Sequence, residues 1–112
     1  MSFEIITSDY FDTEVKRLSK RYRSLKDDLK LFMQELQDNP LQGVEIAPHI
    51  RKIRMAITSK GRGKSGGARV LTYNVIVSEH EGLIALLLIY DKADTPNIRI
   101  NVVKRIIKDL GL

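Results

Sequence analysis

A change in hydrophobic period near the middle of the chain restricts its possible fold more than any other sequence feature. Before it, apolar residues recur at three- and four-residue spacing, which is typical of a helix with one packing face. These residues are Tyr22, Leu25, Leu29, Phe32, Met33 and Leu36. Ser24 and Asp27 resemble a capping box, and Asn39-Pro40 ends the helix. From His49 to Ile57 the period falls to two, which predicts a half-buried strand.

Weaker signals surround these two segments. Phe3 to Thr7 alternates weakly and predicts a short edge strand, after which Ser8 or Asp9 caps a helix carrying Val15 and Leu18. After the strand at His49, a glycine- and lysine-rich turn precedes two further strand patterns. These segments are the turn Ser59 to Gly67, the strand Ala68 to Val77, a turn at Gly82 and the strand Leu83 to Tyr90. We therefore expect an antiparallel three-strand meander.

A helix is predicted to close the chain. Thr95-Pro96 is a start signal, since proline is tolerated in a first turn, and the first helical residue is expected between Asn97 and Asn101. The apolar stripe comprises Val102, Val103, Ile106, Ile107 and Leu110. The order strand, two helices, three strands, helix predicts a single α+β domain over residues 1–112, with helices packed on a mostly antiparallel sheet.

Composition excludes several kinds of chemistry. The chain has no cysteine and two isolated histidines, His49 and His80, so we expect neither a disulfide nor a zinc-thiolate centre, and neither a metal nor a cofactor. Neither histidine lies in a pattern that suggests a serine hydrolase triad. No apolar run approaches the roughly 20 residues that span a bilayer, and Met1 to Tyr10 lacks a secretory pattern. The expected location is the cytoplasm.

Charge is distributed unevenly along the chain. The net charge is +5, and no acidic residue lies between Glu45 and Glu79. That stretch carries seven cations: Arg51, Lys52, Arg54, Lys60, Arg62, Lys64 and Arg69. Such a stretch predicts contact with a polyanion, most often nucleic acid, and a solvated basic surface is the alternative.

Gly61 to Gly66 matches the spacing of a dinucleotide-binding fingerprint and resembles the end of a P-loop. Both motifs need a helix immediately afterwards, whereas the residues from Arg69 onward are of β type, and Thr58 stands where a P-loop needs its first glycine. The glycines instead favour a tight cationic hairpin loop whose amides approach phosphate.

A cluster of candidate catalytic residues follows from the strand pattern. Lys52 and Arg54 project from one face of their strand, Arg69 begins the next, and Tyr90 and Lys92 end the last. Cleavage of RNA by its own 2′-hydroxyl needs a base, cations for the charged phosphorane and a proton donor. Lysine and arginine fill these roles without a metal, and crowded positive charge favours a neutral amine, so Lys52 or Lys64 is a sensible base. Alternatively, these residues only hold phosphates or an acidic partner peptide.

At this point the chain resembles the RelE/ParE toxin superfamily, closest to its HigB-like branch. The resemblance covers nearly the whole chain and is most specific at the loop Gly63 to Arg69 followed by Tyr73. The other matching segments are Asn39-Pro40, Lys52-Ile53-Arg54 and Ile89-Tyr90-Asp91-Lys92. The resemblance implies a microbial-ribonuclease-like fold, ribosome-dependent cleavage of mRNA in the A site by 2′-hydroxyl attack, and neutralisation by an antitoxin.

The resemblance also implies residue roles. The basic residues Lys52 and Arg54, with Arg69 and Lys92, match the family's catalytic positions, with Tyr90 assisting. Contacts with RNA are expected from Arg51, Lys60, Arg62, Lys64, Tyr73 and Tyr90. One departure is that the family's tyrosine near the start of the last helix has no counterpart in Pro96 to Ile100, which puts the acid–base assignment in doubt.

Two other functions share parts of this pattern. A ParE-like toxin that binds DNA gyrase would have the same fold, but it has no need for converging cations at Lys52, Arg54, Arg69 and Lys92. A non-catalytic RNA-binding module lacks the usual stacking aromatics, since aromatics make up 6% of the chain. In either toxin we expect a partner antitoxin with an acidic or amphipathic segment that covers the basic face or displaces the last helix.

Overall fold

The described part of the chain, residues 3–94 and 96–112, consists of a five-stranded sheet with helices on both faces in the computed structural model. The elements are β1 (Glu4–Thr7), α1 (Asp9–Arg21), α2 (Leu25–Asp38), β2 (Val44–Ala47), β3 (Ile50–Met55), a 3₁₀ turn (Thr58–Lys60), β4 (Ala68–Ser78), β5 (Glu81–Asp91) and α3 (Ile100–Asp109). Among these residues, no helix has the length and apolar character needed to cross a membrane.

The strand order is β1-β5-β4-β3-β2. Strands β3, β4 and β5 form the expected antiparallel meander, and β1 is an edge strand as predicted. Because β1 pairs in parallel with β5, the sheet is mixed. The α+β class is therefore confirmed, with one parallel pair in a mostly antiparallel sheet.

Strand β2 was not predicted from the sequence. Val44 and Ile46 alternate with Glu45, but a strand of four mostly exposed residues is too short for this pattern to be distinctive. Its strand conformation depends on antiparallel pairing with β3. The chain enters β2 through Gly43, whose φ is +77°, and a Cβ there would lie 2.3 Å from the Lys52 carbonyl oxygen. Glycine is the residue that accepts both conditions.

Helix α1 begins as the sequence predicts. Ser8 is its N-cap, and the Ser8 hydroxyl accepts a hydrogen bond from the Phe11 N–H at 3.0 Å. The same hydroxyl donates to the Leu87 carbonyl at 2.6 Å, which ties the helix start to β5. Val15 is half-buried and Leu18 is fully buried, as expected for the packing face.

The predicted start of α2 needs two corrections. Tyr22 lies outside the helix, at the C-cap of α1. The capping box of Ser24 and Asp27 does not form, because the Ser24 hydroxyl donates to Asp28 at 2.7 Å and accepts from the Ser59 N–H at 2.9 Å. Asp28 also accepts from the Thr58 N–H at 2.9 Å, so this helix start anchors the 3₁₀ turn instead of capping itself.

The predicted start of the last helix is partly wrong. Helix α3 begins at Ile100, within the expected range, but Pro96 lies before the helix and not in its first turn. Thr95, the other half of the start signal, lies outside the described residues. Val103, Ile106 and Ile107 are buried, whereas Val102 is exposed and does not belong to the packing stripe.

Apolar side chains form a cluster on each face of the sheet. One face, here called the helix-pair face, carries Ile53, Val70 and Ile89 and packs against α1 and α2. On the other face, α3 covers only the part around Ile50 and Leu87. The remaining part of that face is uncovered, and it is here that polar side chains reach solvent.

A β-bulge interrupts the pairing of β4 with β5. Leu71 pairs with Leu88 and Thr72 with Leu86, so Leu87 is an extra residue in β5. Leu87 and Leu88 consequently lie in the same apolar cluster although they are adjacent in sequence. From Leu88 onward, each β5 side chain lies on the opposite face from the one that uninterrupted period-two alternation would give it.

Candidate functional site

A polar cavity of about 310 Å³ lies on the uncovered part of the sheet, here called the cavity face. It is lined by Val44, Lys52, Arg54, Arg69, Tyr90 and Lys92. Arg54 pairs with Arg69 across β3 and β4, and Arg69 pairs with Tyr90 across β4 and β5. Directly opposed residues share a face, so the sheet register itself brings these side chains together. All four predicted catalytic residues line this one cavity.

The β5 bulge decides which residues at the end of β5 reach the cavity. Ile84 and Leu86, before the bulge, lie on the helix-pair face. Strict alternation along the same residues, without the bulge, would also point Tyr90 and Lys92 to that face. With it, Tyr90 and Lys92 line the cavity, while Asp91 points away from it.

Lys52 and Arg54 are exposed cations on the cavity face. Within residues 3–94 and 96–112, neither side chain forms an ion pair with an acidic residue. Because they lie two residues apart on one strand and beside Arg69, their charges add at a single place. This pair gives the cavity its capacity to attract an anion.

Arg69 is buried, with 8% of its surface exposed. Its guanidinium donates to the carbonyls of Lys64 at 3.3 Å, Ser65 at 3.0 Å and Ala68 at 3.2 Å. Arg69 therefore holds the basic loop, residues 59–67, against the start of β4 while it also lines the cavity. An arginine fixed on several sides presents a cation whose direction is set before any ligand arrives.

Tyr90 and Lys92 form the β5 side of the cavity. The backbone N–H of Lys92 donates to the Gly67 carbonyl at 3.0 Å, which joins the end of β5 to the end of the basic loop. Tyr90 is half-buried and also lines a second, mainly apolar groove of about 640 Å³ between α1 and residues 96–98. Tyr90 thus borders both the cavity and this groove.

Two predicted RNA-contacting cations lie away from the cavity. Lys60 is 11% exposed, and its Nζ lies 2.7 Å from an Asp91 carboxylate oxygen on the helix-pair face. Arg51 alternates with Lys52 along β3, and its guanidinium donates to the carbonyls of Leu41 at 3.1 Å and Gly43 at 3.4 Å. Strand alternation explains the orientation of Arg51, whereas Lys60 reaches Asp91 from the 3₁₀ turn.

Of the other predicted RNA-contacting residues, Tyr90 lines the cavity, whereas Arg62, Lys64 and Tyr73 do not. Arg62 is exposed in the basic loop, and the Lys64 Nζ lies 3.9 Å from a Glu35 carboxylate oxygen on α2. Tyr73 shares the face of Arg69, but it packs edge-on against His49, with ring centroids 6.3 Å apart, and against the apolar cluster under α3. Of the two candidate bases, only Lys52 lines the cavity.

A buried carboxylate supports the cavity from behind. Asp91 is fully buried and accepts hydrogen bonds from Tyr22 Oη at 2.5 Å, Arg21 at 3.1 Å and the Ala93 N–H at 3.0 Å, besides its contact with Lys60. Burial acts to raise the pKa of Asp91, but the hydrogen bonds from Lys60, Tyr22 and Ala93 outweigh it and hold the pKa well below its ordinary value. Asp91 is therefore an anion that fixes the turn carrying Lys92.

Sequence reasoning missed Val44, Tyr22 and the role of Asp91. The position of Asp91 between Tyr90 and Lys92 is the one available signal, since strand alternation places it on the opposite face from both. Val44 gave no signal because β2 itself was not recognised. Among the described residues, no group of three or more histidine, aspartate or glutamate side chains is arranged to hold a metal ion.

The cavity combines cations with one phenol, all on the same sheet face. Such a set can bind the phosphate of a polyanion, stabilise added negative charge on it, and exchange protons through an amine or a phenol. No protein-family model matches the chain.

Proposed function

We propose that this protein is a metal-independent endoribonuclease of the RelE/ParE superfamily, acting as a toxin on mRNA in the ribosomal A site. The observation that carries the proposal is the convergence of Lys52, Arg54, Arg69 and Lys92 on one cavity, with no acidic partner for Lys52 or Arg54 among the described residues. The order of helices and strands agrees with the RelE-like fold that the sequence resemblance implies.

The cavity residues take the following roles in the reaction. The amine of Lys52 accepts the proton of the 2′-hydroxyl, whose oxygen attacks the adjacent phosphorus. The new O2′–P bond forms as the P–O5′ bond breaks, giving a cyclic phosphate and a 5′-hydroxyl. Arg54 and the fixed guanidinium of Arg69 stabilise the charged phosphorane, and Lys92, assisted by Tyr90, protonates the leaving oxygen.

The basic loop extends the RNA path beyond the cavity. Arg62 and Lys64 are exposed on it, and Arg69 holds its backbone in place. Cations on a fixed loop neutralise neighbouring phosphates at a smaller entropic cost than mobile ones. We assign these two residues to binding and not to the reaction itself.

The proposal extends to location and regulation. A protein that acts on translating ribosomes works in the cytoplasm. A cell that carries such an enzyme needs a partner that neutralises it, and we propose an antitoxin protein for this role. Charge complementarity predicts that this partner presents acidic residues to the cavity face.

The direct test is primer extension on an mRNA incubated with the purified protein, with and without translating ribosomes and with EDTA. We expect cuts that require ribosomes, persist in EDTA, and fall about 100-fold in rate in Lys52→Ala and Arg54→Ala. Lys30→Ala is the matched control, because Lys30 is an exposed lysine on α2, away from the cavity.

Intact mRNA with every protein would contradict the proposal, and a DNA gyrase supercoiling assay would follow. Equal loss of cleavage in Lys30→Ala would show that the effect comes from general charge and not from the cavity.

A further inference from the structure

The groove on the far side of Tyr90, here called the apolar groove, has no role in the reaction proposed above. It encloses about 640 Å³, which is within the range of sites that hold small organic ligands. It lies where β5 continues past the stretch Leu83 to Leu86 that pairs with β1. Its apolar walls are formed by Leu88, Ile89, Pro96 and Ile98. The groove is therefore an opening at the edge of the sheet, next to the cavity.

The rim of the apolar groove is acidic, in contrast with the neighbouring cavity. Carboxylates of Asp9, Glu14 and Asp94 line it, together with one cation, Arg17. Arg17 lies 2.9 Å from Glu14 and 3.5 Å from Asp94, so it engages both of these carboxylates. Asp9 forms no ion pair within the described residues. The groove therefore repels a phosphate and offers a hydrogen-bond acceptor to a group that carries N–H donors.

Two tyrosines also line the apolar groove. Tyr90 is half-buried and borders the cavity as well, whereas Tyr10, in the first turn of α1, is 58% exposed. Stacking of bases on aromatic side chains strengthens the binding of single-stranded nucleic acid whatever the sequence. Tyr10 therefore gives the groove a stacking surface outside the cavity.

We propose that the apolar groove binds the base of the nucleotide immediately 3′ of the cut and selects bases that carry an exocyclic amine over uracil. This inference rests on the proposed function, in which Lys92 and Tyr90 act on the leaving 5′-oxygen. The nucleotide that bears this oxygen lies on the Tyr90 side of the cavity, where the groove begins. Its phosphate stays with the cations of the cavity, and its uncharged base enters the groove.

Asp9 supplies the selectivity. An ionised carboxylate accepts hydrogen bonds and donates none. Adenine, cytosine and guanine present an amine N–H at their edges, whereas uracil presents a carbonyl oxygen where cytosine has its amine. A carboxylate attracts the amine and repels the carbonyl oxygen. The apolar walls accept the ring of any base, so this one acceptor distinguishes between them.

The first test measures binding without cleavage. Fluorescein-labelled hexanucleotides of 2′-O-methylcytidine or 2′-O-methyluridine lack the attacking hydroxyl, so fluorescence anisotropy with the full-length protein reports affinity alone. We expect the cytosine oligomer to bind about tenfold more tightly than the uracil oligomer. Adenine and purine oligomers, which differ only in the amine, should show a similar ratio. Added salt should weaken all of them and leave the ratios unchanged, because their phosphates are the same.

Matched variants locate the acceptor. Asp9→Asn replaces the carboxylate by an amide that also donates to a carbonyl oxygen, so the ratio of cytosine to uracil affinity should fall to about one. Asp12→Asn is the control, because Asp12 is exposed in the same helical turn and does not line the groove.

A second pair of variants tests stacking. Tyr10→Ala should weaken the cytosine and uracil oligomers alike, by about fivefold, and leave their ratio unchanged. Leu31→Ala should change neither affinity, because it truncates a side chain on α2 that is similarly exposed, at 56%.

Several outcomes would overturn the proposal. Equal binding of the cytosine and uracil oligomers would do so, as would an unchanged ratio in Asp9→Asn. If the two oligomers bound equally and a short peptide of arginine and leucine lost affinity in Asp9→Asn and Tyr10→Ala, the groove would belong to a cationic peptide instead.

Primer extension separates this inference from the proposed function. Cuts followed by uridine as often as by cytidine at matched codon positions would refute the base site and leave the nuclease in place. Selective binding that depends on Asp9, in a protein that cuts no mRNA, would support the base site while the proposed function fails.

Discussion

The two faces of β3 and its following loop use the same stretch of cations in opposite ways. On the helix-pair face, Lys60 contacts Asp91 and Arg51 donates to backbone carbonyls. On the cavity face, Lys52 and Arg54 are exposed beside Arg69. The acid-free stretch thus divides into cations that hold the fold and cations that remain available to a ligand. The division follows strand alternation and the position of acceptors, not the charge itself.

The largest expected effect comes from removing the anion of the helix-pair face. Asp91→Ala leaves Lys60, Tyr22 and Arg21 without their buried acceptor, and the free energy of unfolding should fall by about 3 kcal/mol. Urea denaturation followed by circular dichroism measures it. Lys52→Ala, a change of charge on the cavity face, should alter stability by less than about 0.5 kcal/mol. Equal losses of unfolding free energy in the two variants would contradict the view that only the helix-pair face uses its charges to hold the fold.

Arg69 belongs to both groups of cations, because it holds the basic loop and also lines the cavity. Its replacement therefore tests whether structural and ligand-binding cations can be separated. Arg69→Ala removes three hydrogen bonds to loop and strand carbonyls as well as a cavity charge, so stability should fall by about 2 kcal/mol together with loss of cleavage. Limited trypsin digestion should cut the variant faster after Arg62 and Lys64, because the basic loop loses its anchor. An unchanged digestion rate would show that other contacts hold the loop.

Acid unfolding provides a smaller but more specific effect. The pKa of Asp91 is lowered in the folded protein, so its contribution to stability is complete above the unfolded value near 3.9 and is lost as the pH falls below it. Between about pH 5 and pH 2, wild type should lose at least about 1 kcal/mol more unfolding free energy than Asp91→Asn. The measurement is a urea titration at each pH. Parallel pH profiles for the two proteins would contradict the role of Asp91.

The smallest expected effect is on the salt dependence of RNA binding. Lys52→Ala should reduce the log–log slope against salt for a single-stranded oligonucleotide by about 0.7, the loss of one phosphate contact. Arg51→Ala should leave the slope unchanged, because Arg51 points to the helix-pair face. Anisotropy titrations between low and moderate salt measure both. A reduced slope in Arg51→Ala would return that residue to the RNA path that the sequence predicted for it.

The sequence predicted the parts of the fold that rest on local patterns. The stripe on α2, the cap at Ser8 and the meander of β3, β4 and β5 were all visible as periodicity or capping signals. Strand β2 was not, because its alternation of Val44, Glu45 and Ile46 is too short to be distinctive. The parallel pairing of β1 with β5 joins distant segments and leaves no local trace.

The candidate site follows the same rule. The two-residue spacing of Lys52 and Arg54 predicted their common face, and strand order brought Arg69 beside them. Counting charges along the chain could not separate Lys60 from this group, because its partner Asp91 lies 31 residues away in sequence. The capping prediction failed for the same reason: Ser24 bonds with Asp28 and with the distant Ser59, and distant contacts override the local motif.

The extra residue in β5 makes the register of this strand tolerant of one deletion. Because Leu86 pairs with Thr72 and Leu88 with Leu71, deleting Leu87 would remove the bulge and leave both pairs in place, so Tyr90 would stay opposite Arg69 on the cavity face. Asp91 would likewise keep its contacts on the helix-pair face. This segment of the gene should therefore accept a single-codon deletion at Leu87 without loss of the site, at the cost of one buried leucine in the cluster under α3.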